Sequence, residues 1–402
     1  MDRLGGYTMK KLWAMPILFA ASQVTAGGWE ASKLDTNFMY QEGGYAELSY
    51  GSIDYNNLKA NALYTSTLSK KQKTAKNQTR FSGAFKMSFG NLDLGLSSFR
   101  SGTIQMQGGS GTYGTGGTVV PDADANLNTT SFVGKYTFKE NFSLLFMANQ
   151  NSLAKTKITT TMGTYDIKAK EVTGYGYGVA YSQPEIALRV ELLVQPKSEI
   201  KASSSYDASG SGTTASAIAA GTALALGSAA PTNAGYTSQT VSDDTSFIST
   251  LSRPETLTLN FQSGVAENTL LFGSIHKAAW SKSQIKAATD NYYSSITSSF
   301  SDTTETTIGV ARKVSDTTAL IASYSSEGGG GKTSTSLFTM SNGRQGISLA
   351  ARYTMDNLTI TGGYSYINVG DVTVSSAASG ATQATYKNNT VSALGLKLGV
   401  SF

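Results

Sequence analysis

The feature that most constrains this chain is an alternation of apolar and polar residues, of period two, recurring in runs of roughly ten residues along most of its length. Phe81, Gly83, Phe85, Met87 and Phe89 alternate with Arg80, Ser82, Ala84, Lys86 and Ser88. Ile186, Leu188, Val190, Leu192 and Val194 do so against Arg189 and Glu191, and Ile347, Leu349, Ala351, Tyr353 and Met355 against Ser348 and Arg352. Successive side chains of a strand point to opposite faces, so each run predicts a strand with one greasy and one wet face. Roughly ten residues is also the length of a tilted strand that crosses a bilayer.

The connections between runs fall into two length classes. Tight turns are readable near Gly90-Asn91, Lys139-Glu140-Asn141, Ser182-Gln183-Pro184-Glu185, Ala266-Glu267-Asn268, Val314-Ser315-Asp316 and Asp356-Asn357. Between those hairpins lie long polar stretches, near 56–77, 104–127, 152–171, 197–252, 283–301, 327–343 and 370–387. A sandwich also alternates, but its strands are shorter and its connections do not divide this way. Strands are expected near 44–55, 78–89, 92–103, 128–138, 142–151, 172–182, 186–196, 253–263, 269–282, 303–313, 317–326, 344–355, 358–369 and 388–402, about 14 in all. The even number puts both ends of the barrel segment on one side, where first and last strands can close a ring. Beyond the N-terminus no segment reaches the ~18 uninterrupted apolar residues of a spanning helix, so a chain that enters a bilayer must do so as a closed barrel. The expected fold class is all-β, a transmembrane antiparallel β-barrel.

Composition agrees. Only 15% of residues are charged, and Gly 42 with Tyr 21 and Phe 16 suit a large β structure. Cys is 0, which excludes disulfides and thiolate chemistry. Lys10 and Lys11, the apolar stretch from Leu12 to Ala21 and the small residues of Val24-Thr25-Ala26 read as an export signal over 1–26, with Met9 an alternative start. Losing Asp2, Arg3, Lys10 and Lys11 lowers the formal charge from +5 to +3, too weak and dispersed for a nucleic-acid partner. The expected location is the bacterial outer membrane, with long loops outside and turns in the periplasm. Tyr45, Tyr50, Tyr55, Phe132, Tyr136, Phe138, Phe142, Tyr175, Tyr177, Tyr181, Trp280, Tyr364 and Tyr366 fall near strand ends, as interfacial girdles would, some of them lining the lumen instead.

Little in the sequence points to covalent chemistry. His276 is the one histidine, and a hydrolase in the barrel wall would need it beside an activated serine and an orienting carboxylate; a structural or lumen-facing role is the simpler reading. No carboxylate spacing resembles a calcium loop, so neither catalytic nor metal residues nor a cofactor are assigned. Gly328-Gly329-Gly330-Gly331-Lys332 lacks the strand-loop-helix setting of a phosphate loop and reads as linker. By alternation Arg80, Lys86, Arg189 and Arg352 face the lumen, where a cation in an apolar pocket could hold an amphiphile's carboxylate or pair with acids such as Glu191. The loop 197–252 carries an apolar centre from Ala215 to Leu226, including Leu224 and Leu226, that reads either as a short helix over the barrel mouth or as a low-complexity loop.

Three stretches resemble the outer-membrane long-chain fatty acid transporter family. Glu42-Gly43-Gly44-Tyr45-Ala46-Glu47-Leu48-Ser49-Tyr50-Gly51 is similar to its entry into the first strand. Arg253-Pro254-Glu255-Thr256-Leu257, with Leu270 to Ile275 and Trp280-Ser281-Lys282, resembles the hairpin after its large fourth loop. The third is the C-terminal strand, where Leu394, Leu396, Leu398, Val400 and Phe402 share a face and the terminal aromatic resembles a signal for the barrel assembly machinery. The resemblance implies a 14-stranded barrel (43–402) with a plug in its lumen, here 27–42, where Trp29, Phe38, Met39 and Tyr40 would fill space. This segment is short for the family and lacks its Asn-Pro-Ala motif. The resemblance further implies passive uptake of a fatty acid or similar hydrophobe by a monomer surrounded by outer-membrane lipid, with a loop site for capture, a lumenal pocket and a lateral path into the membrane. Arg80, Lys86, Arg189, Arg352, Phe38, Tyr40, Leu224 and Leu226 are the candidate ligand contacts. A porin for small polar solutes and an adhesin working through its Ser/Thr/Gly-rich loops are the alternatives.

Overall fold

A computed structural model describes residues 28–63, 66–107, 121–160, 163–207, 245–289, 293–336, 338–375 and 382–402. The expected signal segment 1–26 and the apolar stretch 215–226 with Leu224 and Leu226, read as a short helix or a low-complexity loop, lie outside them.

Fourteen strands form the wall: β1 (Tyr45–Asp54), β2 (Gln78–Phe89), β3 (Leu92–Met106), β4 (Asp122–Phe138), β5 (Phe142–Leu153), β6 (Lys170–Gln183), β7 (Leu188–Gln195), β8 (Thr256–Ala266), β9 (Thr269–Ala278), β10 (Thr303–Lys313), β11 (Thr318–Gly328), β12 (Gly343–Met355), β13 (Leu358–Val369) and β14 (Asn389–Ser401). Each pairs antiparallel with the next, and β14 pairs with β1 from Tyr45↔Ser401 to Asp54↔Ser392. Gly44 and Phe402 exchange backbone hydrogen bonds, both 3.0 Å, and extend the seam by one pair. Closure leaves neither the first nor the last strand as a free sheet edge, which a sheet in hydrocarbon requires.

The faces are inverted relative to a water-soluble protein. Leu48, Phe81, Phe132, Phe146, Val179, Ile308, Leu349 and Leu394 are exposed on the outside, while Lys86, Asn151, Arg189, Glu191, Glu305 and Arg344 are buried within. Lipid hydrocarbon rather than water suits such an exterior. Tyr50, Phe132, Tyr136, Tyr175, Tyr177, Tyr364 and Tyr366 point outward as girdle residues should, whereas Tyr45, Tyr55 and Trp280 are buried inside.

At one end the strands meet in tight turns, several with a residue at positive φ: Gly90 at 63°, Glu140 at 63°, Ala187 at 53°, Asn268 at 57° and Asp356 at 50°. At the other end the long polar stretches are more ordered than their composition suggests. β3 and β4 continue well past the expected boundaries, and the connections carry hairpins at Lys59–Leu63 with Ser66–Lys73, Thr156–Thr160 with Gly163–Ile167, Ser198–Asp207 with Thr245–Arg253, and Lys286–Thr289 with Tyr293–Thr297. The strand expected to run to Lys282 ends instead at Ala278, followed by a 3-10 turn at Trp280–Lys282. These loops bury an apolar cluster at the loop end that includes Trp29, Tyr55, Met106, Tyr165, Trp280, Phe300 and Tyr386. Such burial stabilises them by roughly 25 cal/mol for each Å² of apolar surface removed from water.

Candidate functional site

The segment from Gly28 to Gln41 crosses the lumen as a plug. Glu30 forms an antiparallel bridge with Gly102 of β3, through hydrogen bonds from Ala31 N to Ser101 O (2.9 Å) and from Thr103 N to Trp29 O (2.8 Å). After an extended stretch the chain turns through a 3-10 helix, Asn37–Tyr40, and Gly43, at φ 65°, redirects it into β1. Phe38 and Met39 pack against the wall at Phe99, Val133 and Met147. A Cβ at Gly95 would lie 2.5 Å from Met39 Sδ and 2.6 Å from Phe38 Cε2, so that glycine leaves the space the plug fills.

Charge holds the plug as much as packing does. His276 Nε2 lies 3.1 Å from Glu30, Lys33 Nζ 2.7 Å from Glu305, and Lys397 Nζ 3.3 Å from Asp35 and 2.9 Å from Glu47. Thr36 Oγ1 and Tyr40 Oη each donate to Glu191 at 2.6 Å, and Asn260 Nδ2 donates to it at 2.8 Å. Arg189 donates to Asn37, Lys135 to the Met39 carbonyl (2.8 Å), Lys86 to the Gln41 carbonyl, and Arg80 to the Ala31 carbonyl (2.6 Å). Hydrogen bonds that involve an ionised group are the stronger class, and these are shielded from water.

Among the described residues the wall has one long window. β2 and β3 pair from Phe89↔Leu92 only as far as Gly83↔Ser98. Beyond that point β2 stays on β1 to Ile53↔Gln78, and β3 stays on β4 to Met106↔Ala123. The register of β3 against β4 shifts between Arg100 and Gly102. A bulge of this kind bends its strand and redirects backbone groups. Here Ser101 and Thr103 pair inward with the plug, and the far end of β3 meets the chain ahead of β2 at the Ala75↔Met106 bridge.

A cavity of about 180 Å³ runs from this window across the lumen around the plug. Its lining includes Phe81, Ser82, Gly83, Ser97, Phe99 and Arg100 at the window, and Thr258, Asn260, Ser274 and His276 on the far wall. Phe81 is 73% exposed on the outer face, so the cavity reaches the lipid-facing surface there.

Alternation places Arg80, Lys86, Arg189 and Arg352 correctly on the inner face, but the structure does not gather them. Arg80 lines the cavity at the window, and Arg352 lines a small recess with Tyr45 and Glu47 at the turn end. Lys86 and Arg189 are committed to plug contacts. Phe38 is buried between the plug and the wall, and the Tyr40 ring lies under two cations, 4.4 Å from Lys135 Nζ and 4.2 Å from Arg189 Cζ. Glu191 bonds to Thr36, Tyr40 and Asn260 of the plug and neighbouring wall. Sequence reasoning missed Arg100, the bulge beside it and the acids Glu30, Glu47 and Glu305 that receive plug and wall cations.

No family model matches the sequence, and no curated protein matches it. Solved structures do. A FadL homologue of Pseudomonas aeruginosa superposes with a TM-score of 0.68 at 14% identity, covering 91% of this chain and 92% of that one. The Pseudomonas putida toluene transporter TodX gives 0.59 at 10% identity, covering 95% and 97%. The Ralstonia pickettii toluene transporter TbuX gives 0.59 at 11%, covering 94% and 96%. The chain has the FadL-type barrel fold over nearly its full described length.

Proposed function

We propose that this barrel is an outer-membrane channel for passive uptake of hydrophobic small molecules, long-chain fatty acids or similar, which leave the lumen sideways into the membrane. The observation that carries the reading is the continuity between a lumenal cavity and the window where β2 and β3 do not pair. A hydrophobe that reaches the cavity then has an exit that avoids both the plug below and the water beyond it.

Two further features support it. The loop end is filled with apolar side chains, into which a hydrophobe partitions but a hydrated solute does not. The lumen below is occupied by the plug, and its cations are tied to acids or carbonyls, unlike the open charged channel of a porin. The solved channels of the same fold include proteins described as toluene transporters.

Removing Ser101, the residue that shifts the register of β3, tests the exit. The deletion is expected to straighten β3, let its ladder with β2 continue past Gly83↔Ser98, and lower uptake of a fluorescent fatty acid by on the order of tenfold while the barrel still folds. Undiminished uptake in a folded deletion variant would reject the lateral exit. Liposome swelling by small sugars through the unaltered protein would favour a porin instead.

A further inference from the structure

On β3 the even-numbered side chains from Leu92 to Ser98 face outward and the odd-numbered ones inward. Arg100 therefore has the parity of the lipid-facing side, where a charge is costly within the hydrocarbon. It does not simply project into lipid: it lines the cavity at the window, and its Nε is buried without a hydrogen-bond partner. The other cations on the same cavity have acceptors. Lys33 meets Glu305, Arg344 meets Glu305 and Glu327, Lys397 meets Asp35 and Glu47, and Arg80 reaches the Ala31 carbonyl and Gln78. Among the described residues the Arg100 side chain forms no ion pair or hydrogen bond.

We infer that Arg100 is the head-group site of the window, taking the anionic group of an amphiphile while its tail passes between β2 and β3. This rests on the channel reading and adds to it the residue that selects carboxylates of long-chain amphiphiles over uncharged hydrocarbons. A guanidinium suits the task because its planar fork donates to two carboxylate oxygens at once and it stays charged at any physiological pH. Its place at the rim lets the head group keep a partner as the tail enters lipid. The same chemistry would hold the phosphate of a resident lipid, and the experiment separates the two.

Uptake of a long-chain fatty acid and of the alcohol of equal length is compared in vesicles containing the full-length protein or its Arg100→Gln and Arg100→Lys variants, with folding checked by heat-dependent gel mobility. The unaltered protein is expected to take up the acid at least tenfold faster than the alcohol. Arg100→Gln should abolish that preference, lowering the acid rate far more than the alcohol rate, and Arg100→Lys should retain part of it. Equal rates for acid and alcohol in the unaltered protein would overturn the assignment and leave the channel intact. So would an equal loss of both rates in Arg100→Gln accompanied by loss of co-purifying lipid phosphate, which would give the site to a resident lipid. Uptake of neither compound by any form would instead count against the channel itself.

Discussion

His276 on the wall and Glu30 on the plug form a buried pair, Nε2 to Oε2 3.1 Å, and Thr258 Oγ1 lies 2.8 Å from His276 Nδ1 on the other side of the ring. The imidazole thus fastens the start of the plug to β8 and β9 at once. Removing one member of a buried pair leaves the other short of partners, at a cost of roughly 3–5 kcal/mol. His276→Ala is therefore expected to loosen the plug without opening the wall, whose ladder does not depend on it. Hydrogen exchange at the Ala31 and Thr103 amides, which join plug and β3, should accelerate by on the order of tenfold or more, while amides of the β1–β14 seam keep their protection. Unaltered exchange at Ala31 would show that the pair does not hold the plug.

Glu191 is the second fastening. It is fully buried and accepts from Thr36, Tyr40 and Asn260, two of them on the plug. Glu191→Leu strands three donors in a dry environment, at about 1–3 kcal/mol each. Since Thr36 and Tyr40 flank the 3-10 turn, that turn should leave its seat first. Limited proteolysis is expected to cut within residues 36–41 of the variant and not of the unaltered protein. Resistance equal to that of the parent would place the plug's anchorage elsewhere.

The wall was legible from sequence because period two and turn chemistry are local signals. Phe81, Phe85 and Phe89 report the outer face of β2 without knowledge of anything else in the fold. The lumen was not, because it is assembled from residues far apart in the chain. Lys397 and Asp35 meet across 362 positions, and nothing near either marks the other. Arg189 and Glu191 share a face of one strand, which suggests a local pair, yet each finds a partner on the plug. The window did leave a trace. In Ser98-Phe99-Arg100 the apolar residue falls on the inner parity and the charged one on the outer, inverting the pattern of Leu92, Leu94 and Leu96. Local inconsistency of this kind is expected at functional sites. The hairpins above the barrel were hidden for a different reason: they lie in Ser-, Thr-, Lys- and Gly-rich stretches whose composition reads as loop.

Trp280 tests the seal at the loop end. Buried at the top of β9, it meets Phe300 edge-on with ring centroids 5.8 Å apart, and a Cβ at Gly28 would lie 2.3 Å from its ring. It thereby closes the space between the plug's first residues and the loop cluster. Trp280→Ala removes that contact at a local cost of about 3–5 kcal/mol, and water can then enter the void because polar plug groups lie beneath it. Swelling of proteoliposomes in small sugars should rise clearly above that of the unaltered protein. No increase would mean that the remaining apolar side chains exclude water without the tryptophan.

Gly95 offers the converse, a change on the wall that acts on the plug by volume alone. Its Cβ position lies 2.5 Å from Met39 Sδ and 2.6 Å from a Phe38 ring carbon, closer than bonded networks of side chains allow. Gly95 sits within the paired part of β3, opposite Lys86 of β2 and Val133 of β4, so the backbone ladder has no reason to yield. Alanine requires Met39 and Phe38 to shift. A valine, whose branched side chain fits a strand well, requires them to leave. The expected series is a folded barrel in both variants, with plug protection reduced in Gly95→Ala and lost in Gly95→Val, read by hydrogen exchange across residues 36–41. Ion conductance in planar bilayers should rise in the same order. A Gly95→Val barrel that folds with its plug protected would mean that β3 gives way before the plug does, and the fit between Gly95, Phe38 and Met39 would no longer account for how the plug is seated.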